Sequence, residues 1–320
     1  MLTIKKMRSK IYRNSDFLQY LWLCHEWKVI RKNAERMNDR EFAYIRYKQR
    51  TGKELNLDDP RTFDEKLWYL KLYNRDPLLT ICSDKYRVRE YVERCGLGHI
   101  LNKLYGVYDD ARDIDFDSLP SPCFLKCNHT SGYNIIFDRT KPFNRCNFIR
   151  TFNFILKQNY YWCSREWNYK NIEPKIIAER LLCDKEGNLP LDYRFLCFSG
   201  EPKLMLFDVG VCTNEGFHAN DCRRNVYDEN MNLLDLSITR KRHNETLPLT
   251  RDQFEEMKKY AAILSKPFAH CRVDFYCIND KVYFGEITFY HMGGTNNIQP
   301  PEWELRMGSW IDVTKIKIEN

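Results

Sequence analysis

Two acidic side chains, Asp274 and Glu286, give this sequence its clearest chemical signal. They lie in two apolar, β-rich runs joined by turn residues 279–281, a pattern typical of an antiparallel hairpin. Such a hairpin can bring the carboxylates together, and close carboxylates repel each other unless a cation, usually Mg²⁺ with phosphate oxygens, lies between them. Arg272 precedes Asp274 by two residues and therefore shares its strand face. The pattern predicts a metal site with an anion-binding arginine, the outline of phosphoryl chemistry.

A second candidate is Lys126, which lies near the end of the apolar run 123–127, before the polar loop 128–132. Backbone N–H groups and hydroxyls in such a loop can bind phosphates while the lysine neutralises their charge. The simpler interpretation is an ordinary strand-to-turn junction with a solvated lysine. The loop is not a Walker A motif, and the sequence contains no Rossmann glycine fingerprint.

Lys85 and Glu179 are further candidates, each with a structural alternative. Lys85 lies at a predicted helix start, where the helix dipole disfavours a cation, so an anionic partner would explain it. The alternative for Lys85 is a surface pair with Asp84. Glu179 lies in the apolar run 175–182, and it either contacts a ligand or pairs with Arg180.

Asp192 and Arg194 share one strand face and either hold a substrate or pair with each other. Arg223 and Arg224 are either an anion-binding pair or part of a solvated turn. We expect residues 210–245, the segment around these arginines, to contribute to substrate specificity.

Asp113 and Asp115 form a competing Asp-x-Asp motif, which in a glycosyltransferase can hold a metal that bridges a nucleotide-sugar pyrophosphate. The motif precedes the proline-rich turn 119–122, so the alternative is an acidic connecting loop. Seven histidines and thirteen cysteines show neither H-x-x-x-H nor C-x-x-C spacing, which argues against a zinc site.

The composition is that of a soluble globular protein, with 43% apolar and 30% charged residues. The net charge of +7 is concentrated in residues 1–50, which carry a net charge of +8. Scattered cysteines inside apolar runs indicate a reducing cytoplasm. The sequence shows no secretion signal and no apolar run approaching about 18 residues, so we expect neither export nor a membrane span.

The elements that position these residues alternate between helices and strands. Residues 1–75 are predicted to be helical, with capping boxes at Asn38 and Thr62 and a helix end at Gly52. The basic run 5–13, with the apolar positions that follow it, either lies on an anionic membrane or belongs to a helix that docks on the body. The fold-class prediction is α+β with largely antiparallel sheets. The expected regions are 1–75, helical and basic; 76–175, the N-terminal and lid subdomains; and 176–320, a C-terminal subdomain with the metal site.

Taken in order, several of these motifs resemble the TupA-like branch of the ATP-grasp superfamily, which is associated with biosynthesis of cell-surface polysaccharides such as teichuronopeptide. The similarity extends from about residue 54 to 313. The motifs are Pro60–Lys66, Asp84-Lys85-Tyr86, Phe124-Leu125-Lys126 with its loop, Glu179, Asp192-Tyr193-Arg194, Arg272-Val273-Asp274 and Gly285-Glu286-Ile287-Thr288-Phe289.

The resemblance implies the ATP-grasp fold, in which two α+β lobes clamp ATP, after an N-terminal helical region. It implies Mg²⁺ at Asp274, Glu286 and Thr288, where many ATP-grasp enzymes have Asn in place of the threonine. It implies that Arg272 stabilises an acyl phosphate and the tetrahedral intermediate. It also implies that the pair Gly293-Gly294, with Gly294 as the expected catalytic residue, supplies backbone donors to the carbonyl oxygen under attack. The residues expected at the nucleotide are Lys85, Lys126, His129, Ser131, Gly132, Glu179, Asp192 and Arg194, with the loop 128–133 closing as a lid.

The activity implied is that of an ATP- and Mg²⁺-dependent carboxylate–amine ligase acting on a precursor of a cell-surface or capsular polysaccharide. Its expected substrates are an amino acid or amino sugar and a sugar acid. Its expected partners are glycan-assembly enzymes and a lipid-linked precursor, and no nucleic acid. We expect it in the cytoplasm, with peripheral attachment to the membrane as a further hypothesis. The alternatives are a metal-dependent glycosyltransferase and a non-catalytic nucleotide-binding protein.

Overall fold

The computed structural model describes residues 15–211, 222–314, 316 and 317. The basic run 5–13 lies outside the described residues, as does part of the expected specificity segment 210–245. The described helices are α1 (Asp16–Ala34), α2 (Asp39–Thr51), α3 (Phe63–Tyr73), α4 (Pro77–Ser83), α5 (Val88–Arg94), α6 (Arg145–Ile155), α7 (Tyr161–Ser164), α8 (Arg251–Ser265) and α9 (Glu302–Ser309).

The described strands form two main sheets. They are β1 (Leu104–Tyr108), β2 (Cys123–Cys127), β3 (Asn134–Phe137), β4 (Ile176–Arg180), β5 (Asp192–Phe198), β6 (Glu201–Val209), β7 (Arg223–Asp228), β8 (Ser237–Ile238), β9 (His270–Ile278), β10 (Lys281–Thr288) and β11 (Ile298–Gln299). A four-stranded sheet, here called the small sheet, has the order β1-β4-β2-β3, and a five-stranded large sheet has the order β10-β9-β5-β6-β7. Strands β8 and β11 form a separate pair.

All strand pairs in the two main sheets are antiparallel, which confirms the α+β prediction. Strand β4 pairs with β1 and β2, so the small sheet extends to Arg180. The sequence-based division after residue 175 therefore falls just before the last strand of this sheet.

Local sequence signals explain where the helices begin. Asn38 and Thr62 each accept a hydrogen bond from a backbone N–H three residues later, and Glu41 and Glu65 complete the two predicted capping boxes. Gly52 ends α2 with a φ of 73°, a left-handed conformation that glycine adopts without steric cost. A third capping box, between Thr250 and Gln253, begins α8.

Each main sheet has its own apolar core. On the large sheet, Phe195 and Phe275 pack with Phe254 of α8, and helices α4 and α5 join the same cluster. On the small sheet, Leu125 lies in a cluster with Phe152 of α6. Burial of each such side chain stabilises the fold by about 1.5–3 kcal/mol, so each sheet is a separately packed support for whatever lies between them.

Helix α1 docks on the small-sheet core through Leu23 and Trp27, while Phe17, Leu21 and Trp22 remain exposed. The docking agrees with one of the two interpretations of the N-terminal segment and leaves the membrane hypothesis untested. None of the helices within the described ranges is both long and apolar enough to cross a bilayer.

Candidate active site

A cavity of about 630 Å³ lies between the two sheets. This volume is within the usual range for small-molecule sites. The walls include residues of β2 and β4 from the small sheet and of β5, β6, β9 and β10 from the large sheet. Eleven of the predicted site residues line it, namely Lys85, Lys126, Ser131, Gly132, Glu179, Asp192, Arg194, Arg272, Asp274, Glu286 and Thr288.

Strand register brings the predicted metal ligands together on one face of the large sheet. Asp274 lies opposite Glu286, and Arg272 lies opposite Thr288, in the β9–β10 pairing. The register shifts at Gly285, where an added Cβ would lie 2.9 Å from the backbone oxygen of Asp274. A residue without a side chain is therefore required at this bulge for the two strands to approach.

The cation between the two carboxylates is the guanidinium of Arg272. Its Nε and Nη2 donate to the Asp274 carboxylate at 2.6 and 2.7 Å, and Nη2 also donates to Glu286 Oε1 at 2.8 Å. Thr288 lies 3.1 Å from both Arg272 Nη2 and Glu286 Oε1. A cation does lie between the two carboxylates, as expected from their closeness. It is the side chain of the neighbouring Arg272, which the sequence analysis did not anticipate in this position.

Asp208 is the main feature of this face that the sequence analysis missed. It is fully buried and accepts two hydrogen bonds from Arg224, at 2.5 and 2.7 Å. Arg194 and Arg240 approach the same carboxylate at 3.2 and 2.6 Å. A carboxylate directly after the apolar run 204–207 of β6 was the signal available in the sequence. Arg224 is therefore neither a solvated turn residue nor a free anion-binding group.

Asp192 and Arg194 pair with each other at 3.0 Å and also line the cavity. Arg194 Nε lies 3.6 Å from Asp274. His291 links the two arginine clusters, with its ring nitrogens 3.1 Å from Arg224 Nη1 and 3.2 Å from Arg272 Nη1. The charged face is thus one continuous network that crosses all five strands.

The charges of this network shift the pKa values of its carboxylates in different directions. Burial raises the pKa of Asp274 to about 6, against the opposing effects of Arg272 and Arg194. Burial alone would also raise the pKa of Glu286, but the charges of Arg272 and Lys85 lower it below its ordinary value. Glu286 therefore stays ionised at neutral pH, and its side chain, 42% exposed, is available to the cavity.

Lys126 and Lys85 extend into the cavity from the opposite side. Lys126 pairs with Glu179 at 2.6 Å, and Arg89 lies 3.7 Å from the same carboxylate. The partners of Glu179 are thus these two cations and not Arg180. Lys85 donates to the backbone oxygen of Thr130 instead of pairing with Asp84. Burial, together with the charge of Lys126, lowers the pKa of Lys85.

His129 does not line the cavity, although it is among the predicted nucleotide-binding residues. Its ring is buried, with Nε2 3.2 Å from the backbone oxygen of Ile155, and burial lowers its pKa to about 4. Asn128 anchors the same segment through Asp84 and through the backbone oxygen of Glu173, each at 2.9 Å. Because residues 128–130 are fixed in the core, the part of the expected lid that faces the cavity is Ser131 and Gly132.

Gly294 likewise faces away from the cavity. Its backbone oxygen accepts a hydrogen bond from Trp68 Nε1 at 2.8 Å, while the preceding Gly293 lines the cavity. Lys71 donates to the Gly293 oxygen at 2.6 Å, and Asp64 accepts two hydrogen bonds from Asn296, both at 2.6 Å. Helix α3 thus holds the loop that follows β10.

This contact gives the motif Pro60–Lys66 a structural role. Thr62 caps α3, Phe63 is fully buried, and Asp64 reaches the loop. At Gly308 an added Cβ would lie 2.0 Å from the backbone oxygen of Arg61, so α9 also packs closely against this segment.

The Asp-x-Asp motif lies apart from this site. Asp113 and Asp115 are exposed beside a short 3₁₀ turn, and neither lines the cavity. Asp115 accepts a hydrogen bond from the backbone of Asp117 at 3.1 Å, as in an ordinary turn. We find no support in this geometry for a bridging metal at that motif.

The residues at Asp274 and Glu286 fit a magnesium ion that is shared with a nucleotide. Mg²⁺ in such sites is bound through one or two carboxylates together with phosphates and waters, instead of a cage of protein ligands. The described part of the chain contains no cluster of three or more His, Cys, Asp or Glu side chains that could hold a metal. Glu286 is exposed to the cavity, and the Thr288 hydroxyl lies 3.1 Å from its Oε1.

Comparison with known proteins gives one sequence-level match. A sequence model described as TupA-like ATPgrasp matches residues 65–312, more than three quarters of the chain. No curated protein matches the sequence.

Several solved structures are similar in fold. D-alanine–D-alanine ligase from Bacillus anthracis is 15% identical, with a TM-score of 0.41, over 69% of this chain and 63% of that chain. L-amino acid ligase from Bacillus licheniformis is 12% identical, with a TM-score of 0.42, over 67% of this chain and 44% of that chain. The chain thus spans less than two thirds of each of these two proteins, and identities this low do not indicate a shared substrate.

Proposed function

Since this chain belongs to the TupA-like family of ATP-grasp ligases, we propose that it joins a carboxylate to an amine at the expense of ATP, through an acyl phosphate. One observation carries the proposal. A single cavity receives Lys126 from the small sheet, Lys85 from the turn between α4 and α5, and an Arg-Asp-Glu cluster from the large sheet. Cations facing a carboxylate cluster across a cavity are suited to hold a polyphosphate with its metal.

The reaction needs positioning and charge neutralisation more than a protein nucleophile. A carboxylate does not condense with an amine at neutral pH because its oxygen is a poor leaving group. Transfer of the γ-phosphoryl group of ATP to that oxygen converts it into phosphate, which leaves when the amine attacks. Catalysis of both steps consists mainly of orientation and electrostatic stabilisation.

We assign the nucleotide to the end of the cavity formed by β4 and β5. Apolar residues there, including Leu181, Leu182 and Leu191, suit a purine ring. Glu179 would contribute through its position at the end of β4, since its carboxylate is engaged by Lys126. Lys85 and Lys126, with Ser131 and Gly132, would contact phosphates, while Asp192 and Arg194 would face the ribose and phosphates from the large sheet.

Asp274, Glu286 and Thr288 would hold Mg²⁺, which when bound supplies charge neutralisation for the phosphate oxygens. Arg272 would orient the transferred phosphoryl group, since its guanidinium lies between these ligands. Of the expected pair Gly293-Gly294, Gly293 lines the cavity and would be the backbone group nearest the acid substrate.

The substrates that we propose are a sugar acid and an amino acid or amino sugar, joined on a precursor of a surface or capsular polysaccharide. The support for this substrate class is membership of the TupA-like family. A nucleotide sugar, a lipid-linked unit and a polymer are all possible carriers, with glycan-assembly enzymes as partners in the cytoplasm.

Peripheral attachment to the membrane would place the enzyme beside a lipid-linked precursor. In support, α1 exposes Phe17, Leu21 and Trp22, and the first 50 residues carry a net charge of +8. Deletion of residues 1–30 should abolish sedimentation with vesicles that contain anionic lipid. Equal sedimentation of the shortened and full-length proteins would refute attachment through this segment.

The activity is tested by measuring ADP release in the presence of Mg²⁺ and ATP across a matrix of sugar acids and amines, with mass spectrometry of the products. Glu286→Gln should abolish ADP release that depends on both substrates. Glu201→Gln, which changes an exposed carboxylate at the turn end of β6, is the control and should retain it. No conjugate across the matrix, or full activity of Glu286→Gln, would contradict the proposed function.

A further inference from the structure

The end of the cavity near Gly293 contains a buried carboxylate that the proposed chemistry has not used. Glu166 lines the cavity with 9% of its surface exposed. Its Oε1 lies 3.9 Å from the position that a Cβ on Gly293 would occupy. Within the described ranges, no lysine, arginine or histidine forms an ion pair of 4 Å or less with this carboxylate. A buried carboxylate in this state is energetically costly unless a cation joins it.

Three tyrosines surround the same region of the cavity. Tyr160 and Tyr169 line it, with ring centroids 5.0 Å apart in an edge-to-face arrangement. Tyr290 also lines it, and its buried hydroxyl has no hydrogen-bond partner. This hydroxyl is therefore available to hydrogen-bond a ligand in the cavity.

Lys71 is the nearest resident cation, but it is committed elsewhere. Its ammonium group donates to the Gly293 oxygen at 2.6 Å and lies 3.6 Å from the centre of the Trp68 ring. Its side chain is almost completely buried, and Lys71 does not line the cavity. The positive charge of Lys71 therefore favours the ionised form of Glu166 without forming an ion pair with it. The cavity side of the carboxylate remains free for a ligand.

This region adjoins the reactive end of the cavity. Burial raises the pKa of Glu166, and the negative charge of Glu286 raises that pKa further. Glu286 and Arg272 also line the cavity together with Glu166 and Tyr169. The apolar residues assigned to the purine belong to the segment after β4 and the start of β5. An amine bound at Glu166 would thus lie beside Gly293, the backbone group that we assign to the acid substrate.

We propose that Glu166, the hydroxyl of Tyr290 and the rings of Tyr160 and Tyr169 bind the amino group of the acceptor substrate as an ammonium ion. The carboxylate supplies the counter-charge, and aromatic faces favour a cation by their quadrupole. The subsite thereby selects a primary ammonium group over neutral molecules of the same size. Before attack the ammonium transfers one proton to the Glu166 carboxylate, so that the free amine is the nucleophile and phosphate leaves from the acyl carbon. This assignment rests on the proposed ligase activity but can be tested separately from it.

The first test measures binding without catalysis. Saturation-transfer NMR with methylammonium chloride should show a signal from the wild-type protein that is lost in Glu166→Gln. Glu173→Gln changes an exposed carboxylate seven residues away that pairs with Lys175, so it should retain the signal. Methanol serves as a neutral probe of the same size. A methylammonium signal that is absent from the wild type, or unchanged in Glu166→Gln, would overturn the subsite.

The second test uses the acid and amine that the wild-type enzyme couples. Glu166→Gln should raise KM for the amine by about 10- to 100-fold, as expected for a lost charged contact, and leave KM for ATP unchanged. Tyr290→Phe removes only the unpartnered hydroxyl and should raise the same KM by roughly 3- to 10-fold without loss of stability. Equal amine KM values for both variants and the wild type would overturn the assignment.

Hydroxylamine distinguishes ammonium binding from general damage to the site. It is neutral at neutral pH and traps an acyl phosphate as a hydroxamate, so Glu166→Gln should form hydroxamate at nearly the wild-type rate. Comparable losses with hydroxylamine and with the amine would contradict a specific ammonium subsite. If methylammonium binding depends on Glu166 but no acid–amine pair is ligated, the ammonium subsite stands and the ligase activity is rejected. If a pair is ligated but the amine KM of Glu166→Gln equals that of the wild type, the ligase activity stands and the subsite is rejected.

Discussion

The two sheets that face the cavity hold their charges in different ways. On the large sheet, Asp208 and Asp274 are each bonded to arginines from neighbouring positions of the same face. On the small-sheet side, Lys126 has a single carboxylate partner and Lys85 contacts a backbone oxygen. The large sheet is thus a pre-paired, rigid surface, whereas the small-sheet side presents cations that can exchange their contacts for phosphate.

The difference follows from how the charges are buried. Side chains opposite each other on adjacent antiparallel strands lie about 5 Å apart, so Arg194 on β5 faces Asp274 on β9, and Arg224 on β7 faces Asp208 on β6. The lysines lie at a strand end and in a turn, where fewer neighbours can reach them. The comparison predicts that changes to the buried carboxylates that are paired with arginines on the large sheet cost mainly stability, whereas changes to Lys126 and Lys85 cost mainly ligand binding.

The largest effect is expected for Asp208→Asn. The substitution leaves Arg224 and its neighbours buried without their shared carboxylate, so the free energy of unfolding should fall by about 3–5 kcal/mol. Urea denaturation at neutral pH measures it. Asp58→Asn, in an ion pair whose carboxylate is 84% exposed, is the control and should change stability little. Equal losses in the two variants would remove the distinction between a buried network and a surface pair.

Lys126→Met should weaken binding of Mg-ATP by roughly 10- to 100-fold, because a charge-assisted contact to phosphate is lost. Calorimetric titration measures the dissociation constant. Lys175→Met is the matched control, since Lys175 also adjoins the small sheet and pairs with Asp109 but does not line the cavity. Unchanged affinity in Lys126→Met would show that the lysine serves only its pair with Glu179.

His270→Phe should reduce the dependence of stability on pH. The ring lies between Phe63 and Phe198, with centroids 5.1 and 4.8 Å away, and burial lowers its folded-state pKa to about 3. In the unfolded chain the His270 ring binds a proton below about pH 6.5, whereas in the folded chain it stays neutral until about pH 3. The folded state therefore loses stability as the pH falls from about 6.5 toward 3.

Removing this group should decrease the slope by about 1.4 kcal/mol per pH unit between pH 6 and 5. Urea denaturation at several pH values measures the slope. His129, on the small-sheet side, has a folded-state pKa of about 4 and should continue to make the variant acid-sensitive. An identical slope with and without His270 would mean that this ring is protonated in the folded protein.

The smallest effect is expected for Thr288→Val. The change removes the hydroxyl that contacts Arg272 and Glu286 but keeps the shape of the side chain, so the free energy of unfolding should fall by about 1 kcal/mol. Thermal unfolding measures the stability, and ADP release measures any separate loss of activity. Lost ADP release with unchanged stability would place the hydroxyl at the metal instead of in the network.

Features that depend on neighbouring residues could be predicted well. The capping boxes at Asn38 and Thr62, and the hairpin that brings Asp274 to Glu286, are confirmed. Each depends on residues close in the chain, whose interactions are fixed by turn geometry and by the period of a strand or helix. The gathering of the other predicted residues around one cavity came from the family resemblance, because no local rule connects them.

The directions of buried side chains could not be predicted. His129 and Gly294 belong to plausible site motifs, yet one turns toward α6 and the other toward Trp68. Glu166 gave no signal in the sequence, and Lys71 looks like an ordinary member of an amphipathic helix. Whether such a group faces a cavity or a core depends on elements that are remote in the chain.

By itself, the sequence determined the α+β class, the helix starts and the two acidic strands that face each other. The tertiary structure decided which charged side chains lie next to each other on the cavity face of the large sheet. The strand order β10-β9-β5-β6-β7 places Arg194 beside both Asp208 and Asp274. The physical reason is that short-range hydrogen bonds set local form, whereas the neutralisation of a buried charge depends on whichever strand packs next to it.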